Sequence, residues 1–178
     1  MLITLYYNNL LIEMNAYKTQ CPVPNEQQPA NEYTSLKNSW FFCWPTLSSK
    51  SYNKKITGTL LINCLLISPI LLSIFPVTKL PIKFFFSEFI TSSVMTGLIL
   101  IRLYLGWSYV VKRLMSATVF YEESGWYDGQ IWVKPSEILL KDRVLGLYEV
   151  FPVLNKIKNT LSLLSIIISA PVVLFFYF

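Results

Sequence analysis

"ITGTLLINCLLISPILLSIFPVT", residues 56–78, contains no charged side chain. As a helix, these 23 residues rise about 34 Å, enough to cross a hydrocarbon core about 30 Å thick. Pro69 falls inside the stretch and bends it, which neighbouring helices accommodate by re-satisfying the freed backbone. "NTLSLLSIIISAPVVLFFYF", residues 159–178, is likewise uncharged and reads as another span. Between the two lies "FFFSEFITSSVMTGLILI", residues 84–101, bounded by Lys83 and Arg102 and interrupted by Glu88. A register shifted to Phe89–Val111 would bring Arg102 near mid-membrane, where arginine costs about 2.5–3.5 kcal/mol. The earlier register is favoured. It leaves Arg102 snorkelling at the interface, Glu88 near the opposite edge close to Lys83, and Tyr104, Trp107 and Tyr109 as an aromatic belt on a helix that continues past the lipid.

The rest of the composition agrees. Of 178 residues, 53% are hydrophobic and 14% charged, against about 25% charged in soluble domains. Too few polar groups remain to cover a water-soluble surface. Lysine and arginine then set the orientation: five precede the first span, Lys79 and Lys83 lie between the first two, and seven occupy Lys112–Lys158. Both long polar segments therefore belong on the positive side. The net charge of +5 follows from that topology, helped by anionic lipid, and requires no nucleic-acid partner. The expected fold class is an α-helical integral membrane protein with three transmembrane helices. A β-hairpin and an amphipathic helix stand between the second and third. Residues 1–55 form the N-terminal polar segment with a short amphipathic helix, 56–115 two spans joined by a tight turn, 116–158 the hairpin and helix, and 159–178 the last span.

The stretch "MLITLYYNNLLIEMNAYKTQ", residues 1–20, has neither the basic start and small-residue cleavage site of a signal peptide nor the Arg- and Ser-rich character of a transit peptide. Nor does the sequence before Cys21 fit a lipidation site. Phe, Tyr, Met, Ile, Asn and Lys make up 66 residues, whereas alanine numbers 4 and histidine 0. AT-rich codons give this skew, as in a compact organellar or endosymbiont genome. In "CPVPNEQQPANEYTSLKNSWFFCWP", residues 21–45, Asn31 is placed to cap a helix in which Tyr33, Leu36, Trp40 and Trp44 recur at helical spacing until Pro45 stops it. Its aromatic face is expected on the membrane or on the second polar segment.

"YEESGWYDGQIWVKP", residues 121–135, holds the densest group of carboxylates and aromatics. Asp128-Gly129 signals a type I′ hairpin turn. Closing it there pairs Tyr127 with Gln130, Trp126 with Ile131, Gly125 with Trp132, Ser124 with Val133 and Glu123 with Lys134. Pro135, Ser136 and Glu137 then open a helix with an apolar stripe of Leu140, Val144, Leu147, Phe151 and Leu154. The competing reading makes Glu122, Glu123 and Asp128 ligands of a hard cation or acid–base groups. The structural reading is favoured, because the chain has no histidine, no second spaced carboxylate cluster and no glycine-rich phosphate loop. Glu122 and Glu123 would also face opposite ways on a strand. Cys21, Cys43 and Cys64 have no metal-knuckle spacing. No disulfide is expected on a reducing side, and Cys21-Pro22 is a weak haem-response signal beside a plain turn. No catalytic, cofactor-binding or metal-binding residue is assigned.

"CPVPNEQQPANEY" with "SWFF", "RLYLGWSYVVKRL", "YEESGWYDGQIWVKP" and "KDRVLGLYEVFPVL" occur in that order and closely resemble the hypothetical chloroplast reading frame thirty-six family. That family is related to nuclear-encoded chloroplast proteins conserved in the green lineage and diatoms. The resemblance runs from about Cys21 to Leu154 and is specific in these blocks, while the spans match in hydropathy alone. It implies a plastid membrane protein of undefined biochemical function and brings no catalytic residue with it; with the lysine and arginine counts, the expectation is a multi-pass protein whose N-terminus is stromal. Two functions follow as expectations. One is a non-enzymatic scaffold, assembly or stress-protection factor that meets other membrane proteins through hairpin and helix. The other is an oligomeric transporter component using Arg102, Glu88 and Asn63 within the lipid.

Overall fold

The computed structural model of the chain describes residues 21–77, 80–122 and 129–177. After a 3-10 turn at Asn25–Gln27 come α1, Pro29–Asn38, a second 3-10 turn at Trp44–Thr46, and α2, Ser49–Ile74. Then follow α3, Pro81–Met115; strands β1, Thr118–Tyr121, and β2, Gln130–Val133; α4, Ser136–Leu145; a π-helical turn, Gly146–Val150; and α5, Phe151–Tyr177. Three helical runs, one in α2, one in α3 and one from α4 through α5, are long and apolar enough to span a membrane.

The fold is organised by α3, which is buried along one side from Phe84 to Leu114. Antiparallel to it lie α2 and α5, whose outer sides expose Leu61, Leu65, Leu66, Ile70, Leu163, Ile166 and Ile167. Small and weakly polar groups let these helices approach, a packing common among helices of membrane bundles. Asn63 Nδ2 donates to Thr96 Oγ1 at 3.1 Å, and Cys64 Sγ donates to Ser92 Oγ at 3.2 Å. A Cβ on Gly97 would stand 3.4 Å from Leu164. Pro69 removes the donor for the Leu65 carbonyl, and Ser68 Oγ supplies one at 3.2 Å.

Those contacts also align the helices in height. Lys55 lies eight residues from Asn63, Arg102 six from Thr96, and Lys158 six from Leu164, all toward the same end. At 1.5 Å per residue the three cations fall within about 3 Å of one level. Arg102 itself is exposed, as a snorkelling side chain requires.

Three local expectations are corrected. α1 begins with Pro29 after Gln28 in the cap position and stops at Asn38. Asn31 is inside it and donates to the Asn25 carbonyl at 2.8 Å. Trp40 lies beyond the helix, 81% exposed, because Ser39 turns extended and its hydroxyl accepts the Phe42 N–H at 3.0 Å.

The hairpin pairs Thr118 with Val133, Val119 with Trp132, Phe120 with Ile131 and Tyr121 with Gln130. β2 thus draws its partners from 118–121 instead of from the stretch next to Asp128-Gly129. Residues 123–128 lie outside the described ones. Gly129 has no positive φ, and a Cβ there would meet nothing within 4 Å, so it forms no type I′ turn. Tertiary burial sets the register instead: Val119 and Tyr121 pack with Val23, Cys21 and Trp132. Lys134 turns inward to Asp142 rather than to Glu123.

Finally, Leu140, Val144, Leu147 and Phe151 form the uncovered side of their helix. The buried side is Ile138, Asp142, Gly146, Val150 and Ile157. A four-residue repeat drifts about 40° per step around an α-helix. The wider π turn takes up that drift and keeps Asp142, Gly146 and Val150 against α3.

Candidate functional site

Beyond Arg102, α3 continues for 13 residues to Met115, and the three ion pairs among the described residues are assembled around this extension as a cap. Arg113 is its hub. Its guanidinium pairs with Glu32 of α1 and donates to Tyr109 Oη at 3.1 Å, the Gln27 carbonyl at 2.8 Å and the Phe120 carbonyl at 3.3 Å. One half-buried side chain thus ties α1, the first 3-10 turn and β1 to α3. Burial raises the Glu32 carboxyl above its ordinary pKa, and Arg113 opposes that rise. Gln27 extends the tie by accepting the Glu122 N–H at 2.9 Å and donating to the Glu122 carbonyl at 3.0 Å.

A second knot joins α1 to the π turn. Tyr33 packs edge-on against Trp107, ring centroids 6.1 Å apart, and its hydroxyl donates to Glu149. Lys37 donates to Tyr33 Oη at 2.9 Å and meets Glu149 at 3.2 Å. The donors from Tyr33 and Lys37 hold the Glu149 carboxyl below its ordinary pKa. Burial, with the carboxylate beside it, raises the Tyr33 phenol. Below this knot Trp107 Nε1 donates to the Phe42 carbonyl at 3.0 Å. Lys156 donates to the carbonyls of Pro45 and Leu47 at 3.2 and 2.6 Å and stands 4.9 Å from the Tyr52 ring.

The third knot is buried. Lys134 Nζ donates to Asp142 Oδ2 at 2.6 Å and to the last carbonyls of α3, Arg113 and Leu114, at 2.9 and 3.3 Å. All three ammonium protons are used, and the positive charge sits at the helix end that favours it.

What the cap leaves open is an apolar face. Cross-strand alternation sends Val119 and Trp132 inward and Phe120, Ile131 and Val133 outward. Beyond them Leu140, Val144, Leu147, Tyr148 and Phe151 are exposed on α4, the π turn and the start of α5.

The residues weighed for catalysis or metal binding are not brought together. Glu122 is exposed and engages Gln27 through its backbone; Glu123 and Asp128 lie outside the described residues. Among the described residues no three of His, Cys, Asp or Glu are grouped to hold a metal ion. Cys21, Cys43 and Cys64 are free thiols. Nor do Asn63, Glu88 and Arg102 converge: Asn63 is bonded to Thr96, and Arg102 stands fourteen residues from Glu88.

Residues 21–163 match the family described as CGLD27-like, conserved in the green lineage and diatoms 27. The chain belongs to the CGLD27-like family. A Pyropia yezoensis relative named uncharacterized protein ycf36 is 86% identical over 165 residues, 93% of this chain and 100% of its own. Its Cyanophora paradoxa namesake is 48% identical over 150 residues, 84% of this chain and 94% of its own. The Arabidopsis thaliana protein conserved in the green lineage and diatoms 27, chloroplastic, is 39% identical over 160 residues, covering 89% of this chain and 49% of that one. No solved structure matches. The CGLD27-like match spans Cys21, the cap and the first two long helices, so the knots described above lie within the family region. These relatives make it a plastid-family protein.

Proposed function

We propose that the protein is a three-span plastid membrane protein, N-terminus on the stromal side. Its cap docks a partner protein, as a non-enzymatic scaffold, assembly or protection factor of a membrane complex. One observation carries the reading: the hairpin side of the apolar face stands well beyond the level of Lys55, Arg102 and Lys158, further than a headgroup layer reaches. Gly146 sits beside Met115, thirteen residues past Arg102 and therefore about 20 Å further along α3. The headgroup layer on one side is only about 5–8 Å deep. Phe120 and Val133 are 68% and 67% exposed, and Val144 is 54% exposed. Large apolar side chains exposed in such number mark a protein contact when they face water. The charged knots behind it hold the strands and helix rigid, as a docking surface requires.

The test substitutes Phe120→Glu and Val144→Glu together, both on exposed positions, and follows native mass in mild detergent. The expected result is loss of a heteromeric complex while the chain keeps its abundance and protease resistance. A complex of unchanged mass would overturn the docking role. A homo-oligomer stabilised by a solute would support the transporter instead.

A further inference from the structure

At the end of the bundle away from the cap, α2, α3 and α5 part around a groove of about 400 Å³ lined by Cys64, Phe85, Phe86, Glu88, Phe89 and Pro171. That volume lies in the range of small-molecule sites. The lining is apolar except for one carboxyl group. Glu88 lies fourteen residues before Arg102, about 21 Å along the helix. In a slab about 30 Å thick, it is therefore about 9 Å inside the far boundary. There it forms none of the ion pairs among the described residues, Lys83 included, and its side chain has no hydrogen bond among them. Ser93, one turn beyond Phe89 on the same helix face, is fully buried, and its hydroxyl also has no partner among the described residues.

A carboxyl at this depth needs a hydrogen-bond donor, and the groove has room for one with an apolar body attached. An ammonium group would have to leave its hydration shell to reach Glu88, whereas a hydroxyl is far cheaper to bring into hydrocarbon. We propose that this groove binds a long-chain alcohol drawn from the bilayer, its hydroxyl donating to Glu88 and its chain lying on Phe85, Phe86 and Phe89. This rests on the membrane reading above but not on the docking role of the cap.

The test uses purified chain in lipid nanodiscs with two photoactivatable probes, a long-chain alcohol and its methyl ether, which accepts but cannot donate. The alcohol should label the 85–89 peptide at least several-fold more than the ether. Glu88→Leu should reduce the alcohol to the level of the ether, while Phe89→Trp, which fills the groove, should suppress both. Equal labelling by both probes in the parent chain would overturn the proposal. So would labelling spread along exposed α2, or a crosslink to a second copy through Phe85. Release of the chain from membranes by alkaline carbonate would instead defeat the membrane reading itself. Loss of the cap complex in Phe120→Glu/Val144→Glu should leave the labelling unchanged.

Discussion

Lys134→Met tests how the cap is held. The Lys134 and Asp142 side chains are only 1% and 8% exposed, with 2.6 Å between Nζ and Oδ2. Removing the ammonium leaves Asp142 buried and unpaired, a loss worth about 3–5 kcal/mol. It also strips the Arg113 and Leu114 carbonyls of a donor, included in that figure. That is a large fraction of the roughly 5–15 kcal/mol that holds an ordinary domain together. Asp142→Leu alone should be as costly, since it strands the ammonium. Combining the two removes both charges, so only the two carbonyl contacts stay lost, about 1–3 kcal/mol at about 0.5–1.5 kcal/mol each. The double variant should therefore be more stable than either single one. The assay is denaturant-dependent proteolysis of the 116–150 region in detergent, fitted for all four chains. Single losses below about 1 kcal/mol, or losses that add in the double variant, would refute the buried-knot account.

Gly106→Leu should loosen the cap, because even a Cβ there would stand 2.5 Å from Phe42 Cε1; about 1–3 kcal/mol is the expected cost of such overpacking, read from protease sensitivity of residues 39–48. Gly129→Val should leave abundance unchanged, since that position is open and has no left-handed φ; a collapse in abundance would restore the type I′ turn. Acidification should free α1. The Glu149 carboxyl is held below its ordinary 4.5, so its contribution is complete above that pH and lost as pH falls through the lower folded value. Glu32, raised by burial, acts in the opposite sense and partly masks the effect. As pH falls, cleavage of α1 should rise in the parent chain but decline slightly in Glu149→Gln, where the Glu32 effect is left alone; parallel curves would refute the assignment.

The three long apolar helices were legible because hydropathy over about 20 residues is a bulk property that no single contact overrides. The hairpin was not. Asp128-Gly129 is a local turn signal, but β2 takes its partner six residues further upstream, where Val119 and Tyr121 gain burial against Val23. Periodicity found the apolar stripe Leu140–Phe151 without saying whether it faced inward. That depended on Asp142, which looks like a surface residue until Lys134 is folded against it. Arg113 and Glu32 are 81 residues apart and Tyr33 and Glu149 116, so no window joins either pair. The only sequence hint was charge among aromatics where the long helix outlasts its apolar stretch. The groove was half visible: Glu88 stood out as an intramembrane charge, but its setting among Phe85, Phe86 and Phe89 needed Cys64 and Pro171 from other helices.

The two ends of α3 are held by different chemistry, and that difference argues for where each activity belongs. On the cap side, Arg113, Lys134, Lys37 and Lys156 each bridge separate segments of chain through charge-assisted bonds. Such bonds are strong where water is partly excluded, and they fix orientation. On the other side of the Lys55, Arg102 and Lys158 level, the described interhelical bonds are the neutral Asn63–Thr96 and Cys64–Ser92 contacts. Bonds of that kind average well below 1 kcal/mol in membrane bundles. A rigid frame suits a surface that must match a partner's shape, since little order is lost on docking. A lightly tied bundle end suits a groove that must part to admit a molecule from the lipid. Among the described residues the Glu88 side chain makes no ion pair at that end, whereas Glu32, Asp142 and Glu149 of the cap each meet a cation. A membrane-soluble ligand can therefore supply Glu88 with the donor that a cation supplies to the carboxylates of the cap.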